Sequence, residues 1–262
     1  MLIFFLVSLL ASVVGAICGI GGGVIIKPVL DLLHLESVST ISFLSVCTVL
    51  SMSCYSVGRT MLAGERRVSL ATGTPLAIGA AVGGLLGSQI FAAVKAMFAN
   101  PNAVGSIQAV CLALMTAGTL LYTVNKARIP THRVESRLAC AVIGLLLGCM
   151  SSFLGIGGGP INLVVLYFFF SMDTKDAAAN SLYIILFSQL ANLLTTLASS
   201  SVPPFRPAVL AVMVAGGIGG GIAGRALNRR MDNRAVERLF IALMAVIIGI
   251  SVFNAVRYAG VL

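Results

Sequence analysis

Gly19-Ile20-Gly21-Gly22-Gly23 interrupts an apolar run that would otherwise continue as one helix from Leu2, and Gly155-Ile156-Gly157-Gly158-Gly159 does the same 136 residues later. Helix interiors avoid such runs, because glycine loses the most backbone freedom on ordering. At membrane depth, irregular backbone persists only where protein buries it or where it lines a cavity. Matching breaks in two halves of a chain are the best sequence pointer to a transporter's binding site.

That the strings lie in a membrane follows from composition. Hydrophobic residues make up 58% of the 262 and charged residues 10%, whereas soluble domains carry roughly 25% charged. Ile107 to Val124 and Phe240 to Val256 contain no charge, and each is long enough to cross a bilayer. A mean hydropathy of +1.05 excludes the soluble two-domain α/β protein that length alone would allow. The net charge of +9 sits mostly in short loops between apolar segments. It reads as a set of orientation signals, not as a nucleic-acid surface. Leu2 to Ala16 resembles a signal peptide with a Val14-Gly15-Ala16 cleavage site. It lacks a basic start and repeats the second half, so it reads as structure.

Chemistry-bearing residues are sparse. The six cysteines (Cys18, Cys47, Cys54, Cys111, Cys140 and Cys149) all lie in apolar segments without a C-x-x-C pair, which predicts buried free thiols. His34 and His132 are the two histidines, both in or beside loops, and they leave no basis for a histidine-rich metal site. No acid/base dyad, nucleophile–histidine pair or Walker sequence is present, and the glycine strings follow no strand as a nucleotide motif would. No enzyme activity, metal or cofactor is expected.

The chain repeats itself. Gly79 to Gly87 aligns with Gly216 to Gly224 at a shift of 137, and Ala113-Leu114-Met115 aligns with Ala242-Leu243-Met244 after a gap of eight. The repeat halves cover about 1–126 and 137–262 of a single transmembrane domain. Apolar segments in the first are expected at Leu2–Cys18, Val24–Leu33, Thr40–Val57, Ser69–Val94 and Val104–Val124. In the second they are expected at Leu138–Leu154, Pro160–Ser171, Ala177–Ala198, Pro207–Ala226 and Ala235–Val256. The piece after each glycine string is too short to span as a helix and fits a re-entrant half. The fold class predicted is an all-α polytopic membrane protein of two inverted repeats. Each repeat is a re-entrant glycine-rich hairpin plus three transmembrane helices. That makes about 8 membrane segments with each hairpin counted once, or 10 counted twice.

The basic residues favour this topology. Loops 58–69, 125–137, 171–176 and 225–238 then share one side and hold 13 of the 17 Lys and Arg. Lys95, Arg206 and Arg257 lie opposite, and Lys27 lies within the first hairpin. Reading each opening pair as one long crossing would move the five arginines of 225–238 away from 58–69 and 125–137, against the positive-inside rule. A ten-span chain with short full crossings has the same parity.

Glycine runs let backbone N–H groups approach a ligand, and a helix start adds orphan donors and the positive end of its dipole. Two such starts meeting at mid-membrane make an anion site. Gly21, Gly22, Gly23, Gly157, Gly158 and Gly159 are its candidate residues. The alternative is that the glycines only permit tight helix crossing, which is the preferred reading for Gly79–Gly87 and Gly216–Gly224. Pro160 suits a first helical turn, whereas Pro28 places the start of the first half-helix nearer Ile26. Lys27 at a helix start opposes the dipole unless an anion sits there; otherwise it pairs with Asp31 or snorkels. Ser42, Ser45, Thr48 and Ser51 recur at threes on the next helix. The counterpart helix carries Asn180, Ser181, Ser188, Gln189 and Asn192, and Asn162 follows the second string. Interhelical hydrogen bonding is the alternative for all of these. Tyr167-Phe168-Phe169-Phe170 reads as a lipid-facing or interfacial patch.

At Gly19-Ile-Gly-Gly-Gly-Val-Ile-Ile-Lys-Pro28, its echo Gly155-Ile-Gly-Gly-Gly-Pro160, and Ala179-Asn180-Ser181-Leu182, the chain resembles the sulfite exporter TauE/SafE family of membrane permeases. The resemblance implies transport of a small sulfur-containing anion such as sulfite, thiosulfate or a sulfonate by about eight membrane segments. In the first half Ser42 and Phe43 stand near the places of Asn180 and Ser181, so the halves do not offer equal ligands. The expected protein is a multi-pass secondary transporter in a cytoplasmic membrane. Its expected partners are a small anionic substrate and the lipid bilayer, with a homodimer as a further option. A transporter of another solute such as a carboxylate, and a membrane-embedded enzyme or assembly factor, are the competing readings.

Loops 58–69, 125–137 and 225–238 are expected to face the cytoplasm, and both termini the other side. Cysteines introduced into a thiol-free variant should be protected in all three loops from an impermeant reagent on intact cells. Labelling of 225–238 with protection of 58–69 would contradict the inverted topology.

Overall fold

The computed structural model describes all residues except 34, 66, 98–100, 155–157, 259 and 261–262, with the side chains of 95 and 101–103 also left out. Gly157, with Gly155 and Ile156, thus lies outside the described residues. Regular structure among the described residues is helical throughout. The helices are α1 (Leu2–Cys18), α2 (Gly23–Leu33), α3 (Val38–Leu62), α4 (Leu70–Met97) and α5 (Pro101–Asn125). The second set is α6 (Arg137–Leu154), α7 (Pro160–Phe170), α8 (Thr174–Ala198), α9 (Pro207–Arg230) and α10 (Asn233–Tyr258). Seven of them (α3, α4, α5, α6, α8, α9 and α10) are long and apolar enough to cross a membrane.

Local sequence explains the ends. Gly19 adopts φ 75° and its N–H closes on Gly15 O, which stops α1 after Cys18. Ser37 Oγ caps α3 by accepting from Thr40 N, and Asp173 does the same for α8 through Asp176 N. Pro160 and Pro207 occupy the first turns of α7 and α9. One expectation is corrected: α2 begins at Gly23, not near Ile26, and carries Pro28 inside. The missing N–H forfeits only a bond to the first turn, and Asn254 Nδ2 of α10 donates to Pro28 O at 3.0 Å. With 11 residues each, α2 and α7 cover about 16 Å, roughly half the ~30 Å hydrocarbon core.

Glycine decides how the helices pack. A Cβ at Gly79, Gly83 or Gly87 of α4 would collide with backbone at Ala141, Leu145 and Cys149 of α6, in that order. Gly144 and Gly148 of α6 approach Leu76 and Ala80 of α4 equally closely. On α9, Gly216, Gly220 and Gly224 meet α1 in ascending order from Phe5 to Ala16. These are small-xxx-small seams that bring two backbones together, as the packing reading of these glycines required. Each opening helix therefore lies alongside the fourth helix of the other half and runs in the same direction. Gly217 and Gly221 set α9 along α3 at Thr48 and Met52, while Gly84 sets α4 along α8 at Ser188 and Ala191. Exchanging the halves exchanges the partners.

Polar links gather the basic loops at one end. Glu65 joins Arg225 and Arg229, Lys126 joins Glu237 at 2.6 Å, and Ser171 Oγ donates to Thr131 Oγ1 at 2.7 Å. At the opposite end Arg206 pairs with Glu36 at 2.8 Å, and Arg257 donates to Leu32 O at 3.1 Å.

Two side-chain expectations change. Tyr167 is buried in the core with the Lys126 ammonium 4.7 Å above its ring, and Phe168 packs edge-on against Tyr122 and His132. Tyr167 thus leaves the expected patch, while Phe168, Phe169 and Phe170 stay half-buried beside the 125–137 loop. Among the cysteines, all free, Cys18 and Cys140 are buried, but Cys54 is exposed, because α3 turns that side away from its neighbours.

Gly83→Val is expected to cost about 1–3 kcal/mol or more by overpacking against Leu145 O. Gly118→Ala should be harmless, since its added Cβ meets nothing within 4 Å. Melting of the detergent-solubilised variants checks this, and an unshifted Gly83→Val would contradict the seam.

Candidate functional site

The two glycine breaks meet each other. A Cβ at Gly159 (φ 71°) would overlap Val24 Cγ2 in the first turn of α2, and would lie 3.8 Å from Ile20 O. One at Gly158 (φ 106°) would lie 3.0 Å from Ile185 Cγ1, and one at Gly21 (φ 69°) 3.4 Å from Ile185 Cδ1 and 3.3 Å from Val49 Cγ1. Positive φ and absent side chains are both required here, so only glycine fits. Val49 and Ile185 stand near the middle of the 25-residue helices α3 and α8. The starts of α2 and α7 thus converge halfway along the spanning helices, with their N-terminal donors and dipoles in the same place.

Around this point run two matched polar faces. On α3, Ser45 and Ser53 stand one turn before and after Val49. On α8, Ser181 and Gln189 stand one turn before and after Ile185. All four are fully buried, and the Oγ atoms of the serines and both amide atoms of Gln189 are unpartnered among the described residues. The two triplets map onto each other at a shift of 136, the spacing of the glycine strings. Asn162 adds a buried amide, unpartnered among the described residues, whose Nδ2 lies against Gly158. Ser12 Oγ, also unpartnered among the described residues, lies 3.1 Å from the Cβ position of Gly22. Buried polar atoms normally find partners, so seven or more around one point mark a place built for a polar guest or for water.

The other candidates fall into different roles. Gly23 opens α2 and is buried. Thr48 and Ser51 donate to Leu44 O and Cys47 O of their own helix, Ser188 to Ile185 O, and Asn192 accepts from Ser88. Of the serines and threonine spaced by threes, Ser45 lies one turn from Val49, and spacing by fours through Val49 adds Ser53. Ser53 was missed, and the repeat shift that pairs it with Gln189 would have found it. Ser42 lies about two turns from Val49, toward Phe43 and its ring contact Phe205. Asn180 is spent on the chain after α3: its Nδ2 donates to Arg67 O at 2.8 Å and its Oδ1 accepts from Ser69 N at 3.1 Å.

Lys27 lines one small cavity with Asp31 and spends its hydrogen bonds on Gln108 and Leu154. Its Nζ donates to Gln108 Oε1 at 2.5 Å and to Leu154 O at 3.0 Å, while Gln108 Nε2 donates to Phe153 O at 2.8 Å. Phe153 and Leu154 end α6 directly before the second glycine string. The ammonium of the first hairpin therefore holds the carbonyl end from which the second hairpin departs, where the helix dipole favours a cation. Asp31 Oδ1, in the same small cavity, is unpartnered among the described residues.

Seven helices long and apolar enough to cross a membrane define a multi-pass membrane protein. The profile of the sulfite exporter TauE/SafE family matches residues 4–252, nearly the whole chain, and the chain belongs to that family. No curated protein sequence and no solved structure gives a significant match.

Lys27→Met is expected to lower stability by about 1–3 kcal/mol, because Leu154 O and Gln108 lose their buried donor, and Asp31→Asn should cost less. Melting of both single variants and the double variant decides the matter. Equal losses that cancel in Lys27→Met/Asp31→Asn would instead show a structural charge pair.

Proposed function

We propose that this protein is a secondary transporter that moves a small sulfur-containing oxyanion, such as sulfite, thiosulfate or a sulfonate, across the cytoplasmic membrane. The observation that carries the proposal is the pair of matched faces Ser45–Val49–Ser53 and Ser181–Ile185–Gln189 around the two breaks. Hydroxyl and amide groups with free hydrogen-bonding capacity suit an oxyanion's several acceptor oxygens, and converging helix starts supply the positive potential. Val49, Ile185 and Gly21 close the middle, with polar residues on both sides. This is the form expected of a path occluded at its centre. The name of the family to which the chain belongs supports the choice of a sulfur oxyanion.

In this reading Gly21, Gly22, Gly158, Gly159, Asn162 and Ser181 surround the anion, joined by Ser45, Ser53 and Gln189. Lys27 and Asn180 position the breaks and the basic loops. Ser42 stands toward the mouth at the end opposite those loops. The two halves are inverted repeats. Three features support this: α1 runs with α9 and α4 with α6, the partners interchange between halves, and the basic loops collect at one end. That end is the cytoplasmic one by the positive-inside rule.

Gln189→Leu separates this role from a structural one. Removing a buried amide that has no partner among the described residues should leave the melting temperature unchanged or raise it, while oxyanion flux into proteoliposomes falls at least tenfold. Thr48→Val, whose hydroxyl is already bonded within α3, serves as the control with near-normal flux. Undiminished flux in Gln189→Leu would remove the matched faces from the path.

A further inference from the structure

The basic loops do more than lie at one end. Between α1, α3, α8 and α9 they enclose a cavity of ≈ 890 Å³, open mouth included, lined by Arg67, Lys175, Arg225 and Arg229 with Glu65 as its single carboxylate. Four cations come from three separate parts of the chain, and one acid holds three of them. Glu65 Oε1 accepts from Arg225 at 2.9 Å and pairs with Arg229 at 3.1 Å, while Oε2 lies 3.9 Å from Arg67 Nε. Arg225 is further fixed by Thr60 Oγ1 and by Ser56 O at 3.4 Å. Asn180 pins the backbone at Arg67. Lys175 forms no ion pair among the described residues.

The inner wall of the cavity is Ala16, Ala178 and Leu182. Ala178 packs directly on Gly19, the first residue of the first glycine string. Ser56, also in the wall, lies one turn beyond Ser53 on α3, and its Oγ is unpartnered among the described residues. The cavity therefore lies over the basic-end side of the central polar faces. Orientation signals need only be near a loop end. They need not line a common pocket or be fastened by a shared acid.

We propose that this basic vestibule is an anion antechamber in which the Glu65 carboxylate occupies the arginines until a doubly charged oxyanion takes its place. The inference rests on the transport reading above and adds a second, shallower site to it. A carboxylate presents two oxygens to the three guanidinium groups. Sulfite, thiosulfate or sulfate presents three or four, with a second negative charge for Arg229 and Lys175. Displaced Glu65 swings toward the open mouth, and the arginines keep their places through Thr60, Ser56 and the Asn180 anchor. The exchange is electrostatic and reversible, so salt weakens it at the exposed rim. A lipid phosphate offers the same chemistry, but the cavity lies inward of the loops against Ala16 and Leu182, so a free anion is the assigned occupant.

The test uses the full chain in neutral detergent, titrated calorimetrically with thiosulfate and with sulfate. Glu65→Gln should bind about tenfold more tightly, because the competing charge is gone, and Lys175→Gln and Arg229→Gln should each bind about tenfold more weakly. Melting without anion shows that the variants are folded, and the two cation variants stand even if Glu65→Gln is not. Unchanged affinity in Lys175→Gln and Arg229→Gln overturns the vestibule. So does binding that is abolished by vesicles of phosphatidylglycerol but not of phosphatidylcholine, which would make the occupant a lipid headgroup. Proteoliposome flux of the unaltered protein is read in parallel. Vestibule binding without flux removes the transport reading alone, whereas flux with an apparent affinity indifferent to both cation variants removes the vestibule alone.

Discussion

Backbone that leaves helical geometry inside a bilayer must be buried by protein, because no water is there to satisfy it. This chain breaks twice, and the structure meets the constraint by placing the breaks against each other. Gly159 lies on Val24, Gly158 and Gly21 share Ile185, and α3 and α8 cover the rest. The other features follow from this arrangement. Bringing two hairpins to one point requires α1 and α6 to be fixed from outside, and the glycine seams with α9 and α4 do that by letting backbones touch. The Lys27 bond to Leu154 O then ties the first hairpin to the departure point of the second. The Gly159–Val24 contact, the glycine seams and the Lys27 bond each join one half to the other, so each break depends on the opposite half.

Much of the architecture was legible in the sequence, and the reasons are physical. Helix ends were readable at Gly19, Pro160 and Pro207, residues with strong local preferences for terminating or starting a helix, whereas α8 starts at Thr174 after its Asp173 cap, three residues before the expected Ala177. Gly79–Gly87 and Gly216–Gly224 read correctly as packing seams, since small residues at helical spacing have few other uses in a membrane helix. Pro28 misled because its rule concerns the interior of a free helix, whereas α2 is buried and braced by Asn254. Ser181, Asn162 and the glycines were singled out from their neighbours in sequence, and those that are described lie at or near the breaks. Ser53 was within reach of the 136-residue shift that pairs it with Gln189, but its burial depends on which face of α3 turns inward. The hydrogen-bond partners of Lys27 could not be read locally, because Gln108 and Leu154 are 81 and 127 residues away.

The polar residues that lack partners among the described residues form a sequence along the molecule. From the end rich in Arg and Lys, the vestibule over Ser56 gives way to Ser53 and Ser181, then to the apolar closure at Val49 and Ile185, then to Ser45 and Gln189. Unpartnered buried hydroxyls and amides are costly to stability, and a bundle selected for rigidity alone would replace them with apolar residues. Their matched positions in the two halves fit a path that opens alternately to either side by rocking one half against the other. The proposed repeat would make the two sides of the closure chemically similar without being identical.

Contact between the two breaks is the claim from which the rest descends, and a double-mutant cycle across Val24 and Gly159 measures it most directly. Gly159→Ala introduces both backbone strain and an overlap with Val24 Cγ2, and Val24→Ala removes the overlap but not the strain. Melting of the two single variants and the double variant should show a favourable coupling of about 1 kcal/mol or more, within the range found for residues in contact. Additivity to within about 0.3–0.5 kcal/mol, the behaviour of distant sites, would mean that the glycine strings do not meet and would contradict the account.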